Sequence, residues 1–163
     1  MKRSLFLLPA SLAAVLAVVG CGGGSSSKSG STATPAPKAA SATTVDVGKT
    51  DLGRILVNAQ GRTLYLFEKD KNDKSACSGA CATSWPPLIA KRGATAGTGA
   101  VKKLIGTTKR SDGTMQATYS GHPLYLYAGD SATGQTNGEG LKAFGAEWYV
   151  LAASGKKVEK GGS

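Results

Sequence analysis

Apolar and polar positions divide the chain into three stretches. Leu5–Val19 is apolar apart from Pro9 and Ser11. Gly22–Thr44 is built of Gly, Ser, Thr, Ala, Pro and Lys with too few apolar residues to bury a core. From Val45 onward, short β-rich runs alternate with Gly-rich stretches. Ile55–Asn58 leads to a turn at Gln60-Gly61, and Thr63–Phe67 returns as a second strand. Met115–Tyr119, Ser120-Gly121 and Leu124–Tyr127 repeat that plan. Strand alternation puts Leu64 and Leu66 on one face and Tyr65 and Phe67 on the other. With both faces apolar, these strands need cover on both sides. No segment beyond residue 45 shows a long helical period. The pattern predicts a compact all-β domain over 45–153, a sandwich or small barrel, with irregular loops at 70–84, 91–100 and 129–143.

The two hairpins are copies. Gly61-Arg62-Thr63-Leu64-Tyr65-Leu66-Phe67-Glu68-Lys69-Asp70 aligns with Gly121-His122-Pro123-Leu124-Tyr125-Leu126-Tyr127-Ala128-Gly129-Asp130 at an offset of 60, with five of ten positions identical. Upstream, Ile55-Leu56-Val57 aligns with Met115-Gln116-Ala117. Trp85-Pro86-Pro87-Leu88 follows the first copy and Trp148-Tyr149-Val150-Leu151 the second. Internal repetition of this kind predicts a duplicated unit, with repeats over about 45–90 and 103–153 in a pseudo-two-fold arrangement.

The N-terminus reads as an address. Lys2-Arg3 is a positive n-region, and the apolar run after it is shorter than the ~20 residues that span a bilayer. The run ends in Val18-Val19-Gly20-Cys21, which resembles the lipobox of bacterial lipoproteins. That resemblance implies a signal peptide over 1–20, lipid on Cys21 and a lipidated tether over 21–44. The tether has a root-mean-square reach of roughly 25–30 Å. Residues 154–163 read as a basic, disordered tail.

Charge adds little to this picture. The chain carries a formal net charge of +10. Seven of its basic residues lie in the leader, tether and tail, and the domain holds 13 basic against 9 acidic residues. They are scattered singly or in pairs, without the dense basic stripe of a nucleic-acid binder. The partners expected are a membrane, through the lipid on Cys21, and an envelope polymer or protein, with no nucleic acid.

Both copies fit Tyr-x-[Phe/Trp/Tyr]-x-x-Asp, through Tyr65, Phe67 and Asp70 and through Tyr125, Tyr127 and Asp130. With the Cys77…Cys81 pair and Trp85-Pro86-Pro87, the chain resembles the bacterial lipoproteins that carry this tandem motif, described as secreted repeats of unknown function. The resemblance spans nearly the whole domain and implies a cell-surface lipoprotein without assigning it a chemistry. The second copy lacks the Cys pair and the Pro-Pro, so the halves are not equivalent.

Several residues bear on chemistry. Cys77 and Cys81 remain as an even pair once Cys21 is lipidated, read first as a disulfide closing a five-residue loop. A redox-active dithiol is the alternative, although the spacing is C-x₃-C rather than C-x-x-C. His122 is the only histidine, which leaves a zinc site short of ligands and gives a catalytic triad one candidate base. The oxygen-rich stretch from Asp130 to Glu139 lacks EF-hand spacing. Asp70 and Asp130 sit where each strand leaves the sheet, and are expected to hold an Asx-type turn through backbone N–H groups. The aromatics either fill the core or, at Trp85, Trp148 and Tyr149, expose a stacking platform for a ligand. No catalytic residue, metal or cofactor is predicted. The leading functional expectation is a non-enzymatic binding or envelope-organising module. The alternatives are an accessory of thiol redox or electron transfer, and a hydrolase using a motif Asp with Glu147.

Overall fold

The computed structural model describes residues 42–159. The leader, Cys21, the tether up to residue 41 and the last four residues of the tail lie outside the described residues. The elements run β1 (Thr43–Thr50), β2 (Gly53–Asn58), β3 (Tyr65–Phe67), α1 (Ala80–Ser84), β4 (Ala94–Ala96), β5 (Ile105–Lys109), β6 (Met115–Tyr119), β7 (His122–Pro123), β8 (Lys142–Ala143) and β9 (Ala146–Val150). The class is all-β. The strands form three sheets of three, in the orders β2-β1-β4, β3-β9-β8 and β5-β6-β7. Single bridges such as Tyr65–Tyr125 and Ile55–Ala152 tie them together. The loops expected to be irregular at 70–84, 91–100 and 129–143 contain α1, β4 and β8.

Turn chemistry fixes the register of each hairpin. Between β6 and β7 the chain reverses through Ser120 and Gly121, both at positive φ (50° and 81°), the backbone of a primed two-residue turn that matches strand twist. The first copy has one residue more, Ala59-Gln60-Gly61, and the Asn58 carboxamide oxygen caps it by accepting from the N–H groups of Gln60 and Arg62. The extra residue shifts the repeat. Leu64 N–H donates to the Leu56 carbonyl, whereas Leu124 N–H donates to that of Ala117. The offset is therefore 60 after the turn and 61 before it, so the upstream alignment of Leu56 with Gln116 is corrected by one residue.

The apolar faces of the repeated strands separate two cores, as alternation requires. Leu64, Leu66 and Leu124 belong to one, with Val45, Leu56, Leu88, Ala117, Tyr119 and Leu151. Tyr65, Phe67 and Tyr125 belong to the other, with Ile55, the two cysteines, Trp85, Trp148 and Val150.

The sequence halves are interleaved. Strand β3 of the first pairs with β9 of the second, Tyr65 opposite Val150 and Phe67 opposite Trp148. In exchange, Leu88 N–H and Leu126 N–H donate to the carbonyls of Leu124 and Pro86. The hairpins are served the same way, Leu56 N–H donating to Leu151 O and Ala117 N–H to Leu88 O, each at 2.8 Å. Of the segment read as a tail, residues 154–159 are among those described. Val158 N–H donates to the Val150 carbonyl, and Lys157 bridges Glu68 and Glu159. The segment after residue 153 thus folds back on the end of β9, where Leu151 also bridges to Lys157.

Candidate functional site

The two Tyr-x-aromatic-x-x-Asp motifs meet where Tyr65 and Tyr125 form an antiparallel bridge, each N–H donating to the other's carbonyl at 2.9 and 3.0 Å. Their hydroxyls then cross between copies. The Tyr65 hydroxyl donates to Asp130 Oδ2 at 2.6 Å, and the Tyr125 hydroxyl donates to Asp70 Oδ2 at 2.7 Å. The remaining oxygen of each carboxylate closes a loop. Asp70 Oδ1 accepts from Ala76 N–H at 2.7 Å, and Asp130 Oδ1 from Asn137 N–H at 2.9 Å. Both aspartates hold backbone at the strand exit, as expected, but they span six and seven residues rather than the two of an Asx turn. The tyrosine partner from the other copy was not foreseen.

Electrostatics follow from this burial. The phenols of Tyr65 and Tyr125 are pushed well above their ordinary range, first by desolvation and then by the neighbouring carboxylates. Burial also raises the Asp70 carboxyl, against the opposing pull of Ala76 N–H, the Tyr125 hydroxyl, Arg110 and Lys71. Both phenols therefore stay protonated near neutrality, as donors to the carboxylates beside them.

Beneath the bridge the aromatic residues stack. Phe67 lies on Trp148 (4.0 Å between centroids, 8° between planes), Trp148 on Trp85 (3.9 Å, 3°) and Trp85 on Tyr127 (4.3 Å, 29°). Tyr65 and Tyr125 meet the two indoles edge-on. Gly138 passes so close that a Cβ there would lie 2.8 Å from Trp85 and 2.9 Å from Tyr65. Trp85 and Trp148 are 1 % and 0 % exposed, so both indoles fill the core, the first of the two readings, and the alternative of a stacking platform there is corrected. Tyr149 is only half-buried, but the Lys157 ammonium occupies its face at 4.3 Å.

Cys77 and Cys81 form a disulfide with Cα atoms 5.3 Å apart, inside the ordinary bridging window. Both cysteines are buried in the aromatic core. Trp85 N–H donates to the Cys81 carbonyl, so the bridged loop sets the position of the indole. Arg110, a residue the sequence did not single out, holds this loop from the other side. Its guanidinium donates to the Cys77 carbonyl, to Ser75 Oγ and to Gln116 Oε1 at 2.7–2.8 Å. The Ser75 and Tyr125 hydroxyls also lie within hydrogen-bond distance, 2.8 Å apart, which links Arg110 to the motif. A buried Arg with a planar donor fork suits such a junction, but no local pattern distinguishes it from the exposed lysine beside it.

An open cleft of about 970 Å³ lies between the end of β3, the His122 turn and the C-terminal segment. Glu68, Asp70, Lys71, His122 and Lys157 line it with mixed charge. Burial depresses the His122 imidazole, and Asp73 is the charge opposing that shift. Among the described residues no group of three or more His, Cys, Asp or Glu could hold a metal ion. None of their helices is long and apolar enough to cross a membrane. Glu147, the hydrolase candidate, accepts from the Tyr149 hydroxyl, whereas the motif carboxylates bond Tyr125 and Tyr65.

No curated protein and no solved structure matches the chain. One family does, twice, over residues 46–89 and 106–152, and these matches take in both motif copies, the disulfide and both tryptophans. Covering more than half of the sequence, they establish that this chain belongs to the family described as a secreted repeat of unknown function.

Proposed function

We propose that the chain is a non-enzymatic envelope module, anchored to a bacterial membrane through lipid on Cys21 and presenting its β domain for binding or envelope organisation outside the cytoplasm. The observation that carries this reading is the reciprocal Tyr65–Asp130 and Tyr125–Asp70 pairing. The motif residues best suited to acid–base work are committed to joining the two halves. Burial of the disulfide argues in the same direction, because thiol exchange needs an accessible sulfur. Secretion fits a disulfide-bonded domain, and Val18-Val19-Gly20-Cys21 supplies the anchoring signal.

The anchor is tested by intact-mass analysis of membrane-extracted protein. Loss of residues 1–20 and acyl mass on Cys21 are expected, while a free Cys21 thiol overturns the anchor. The non-enzymatic reading is tested by screening the purified chain against envelope polysaccharides, peptides and ester substrates. Retention without turnover supports it. Turnover abolished by Asp70→Asn or Asp130→Asn, in a variant that still folds, overturns it.

A further inference from the structure

Among the described residues two large apolar side chains stand exposed, Leu141 at 38 % and Phe144 at 42 %. Both belong to the β8–β9 hairpin. Its turn is Phe144-Gly145, closed by the Ala143–Ala146 pair, with φ values of 56° and 92°. This is again a primed two-residue turn, whose first position ordinarily goes to Asn, Asp or Gly. A Cβ in that left-handed backbone crowds the following carbonyl, so phenylalanine is strained there. The strain is not offset by packing, since Phe144 is part of neither core. Two cations flank the turn. Lys142 is exposed on β8, and the Lys69 ammonium donates to the Phe144 carbonyl at 3.3 Å. Glu147, the acid opposite Lys142, accepts from the Tyr149 hydroxyl.

We propose that this hairpin tip is a membrane-contact element. Phe144 and Leu141 enter the headgroup–acyl boundary of an anionic bilayer, and Lys69 and Lys142 face lipid phosphates. Two side chains on a hairpin tip fall far short of the roughly 800 Å² per partner of a stable protein interface. A bilayer needs no complementary pocket, and an apolar point backed by lysines matches its interface in hydrophobicity and charge. The proposal rests on the anchored reading for delivery. Covalent geometry alone limits the distance: the chain from Cys21 to Thr43, where β1 begins, spans at most roughly 75 Å even fully extended.

The test uses the lipidated chain in vesicles containing about one-third anionic lipid, a composition chosen for its negative surface potential. With Cys21 acylated and Cys77 bridged to Cys81, Phe144→Cys offers one thiol for an environment-sensitive fluorophore, and Asp112→Cys on the exposed β5–β6 turn is the comparison. Blue-shifted emission quenched by spin-labelled lipid at position 144, but not at 112, is expected. Water-like emission at 144, equal quenching at both positions, or a shift at 144 in the absence of vesicles (contact with a second copy) overturns the proposal. A second arm is independent of the anchor. Unlipidated chain from residue 22 onward is floated with the same vesicles, wild type against Phe144→Asn. The substitution relieves the turn and should raise the melting temperature while weakening vesicle partition about tenfold. Unchanged partition sinks the tip even if the anchor stands. Missing acyl mass on Cys21 sinks the anchor and leaves this arm as the measurement of the tip.

Discussion

Trp85 and Trp148 lie face to face, 3.9 Å between ring centroids and 3° from parallel, one from each half of the sequence. Their outer faces are taken by Tyr127 and Phe67, so each indole is sandwiched between rings. Truncating either to alanine removes a buried aromatic from the middle of a stack and should cost about 3–5 kcal/mol, a large part of the stability of a domain this size. Trp85→Phe should cost clearly less, because a ring still fills the gap. Denaturant titration of each variant checks the order. A Trp85→Ala protein as stable as wild type would show that the stack contributes little.

The Tyr–Asp exchange predicts coupling across the halves. Tyr65→Phe leaves Asp130, 2 % exposed, without its hydroxyl donor, at a cost of about 1–3 kcal/mol. Asp130→Asn should cost a similar amount, and the double variant little more than either single one. Tyr125→Phe and Asp70→Asn should behave likewise, with smaller losses at Asp70 because it is only partly buried. In thermal melts about 1 kcal/mol appears as a drop of about 4 °C. Strictly additive losses would mean that the hydroxyl–carboxylate contacts carry no stability of their own.

Interleaving makes a third expectation. Strand β3 has its main partner in β9, and Leu88 has its partners in Leu124 and Ala117. Residues 42–90 and 91–159 expressed separately should each give the dispersion-poor spectra of unfolded chains, and mixing them should restore a folded signal. A first half that folds alone would show the exchange to be dispensable.

What the sequence disclosed and what it hid follow a physical division. Alternation at Leu64-Tyr65-Leu66-Phe67 is a local property, and it anticipated the strands, their two-sided burial and hence the separation of two cores. The Gly61 and Gly121 turns were equally local. The carboxylate roles at Asp70 and Asp130 were legible in kind, because a short acid at a strand exit bonds nearby backbone. Their tyrosine partners lie 55 and 65 residues away, and nothing in the local pattern encodes such a pairing. The same limit hid Arg110, whose contacts at Cys77 and Ser75 are distant in sequence. The contact of Val158 N–H with the Val150 carbonyl at the end of β9 was equally hidden, since the composition of residues 154–159 does not encode it.

The disulfide offers a fourth measurement. Buried cysteines should resist alkylation without reductant in the folded chain and react once it is both unfolded and reduced. Replacing both with serine removes a five-residue cross-link worth about 2 kcal/mol by loop entropy, and frees the segment that sets Trp85. The loss should therefore exceed 2 kcal/mol, with a native tryptophan emission shifted to the red. A variant matching wild type in both stability and emission would break the connection between the bridge and the stack.

The last expectation concerns pH and rests on His122, the only histidine in the chain. Its imidazole is half-buried at the second hairpin, and desolvation lowers its pKa from the ordinary 6.5 against the opposing charge of Asp73. The fold thus favours the neutral ring, while the unfolded chain takes up a proton as pH falls through about 6.5. More protons bound to the unfolded state means stability lost on acidification, beginning near pH 6.5 and ending below the lowered value. Asp70 acts in the opposite sense. Its carboxyl is raised above the ordinary 3.8 in the fold, so the folded chain protonates first there and gains relative stability as pH falls through that window. The two contributions can be separated by substitution. His122→Gln should flatten the fall in melting temperature between about pH 6.5 and 5.5, where no other side chain titrates at its ordinary value. Asp70→Asn should leave that fall intact and, at lower pH, make the acid limb steeper by removing the compensating gain. If His122→Gln melts with the same pH slope as wild type, the ring takes up its proton equally in both states, and burial at the hairpin is not what controls it.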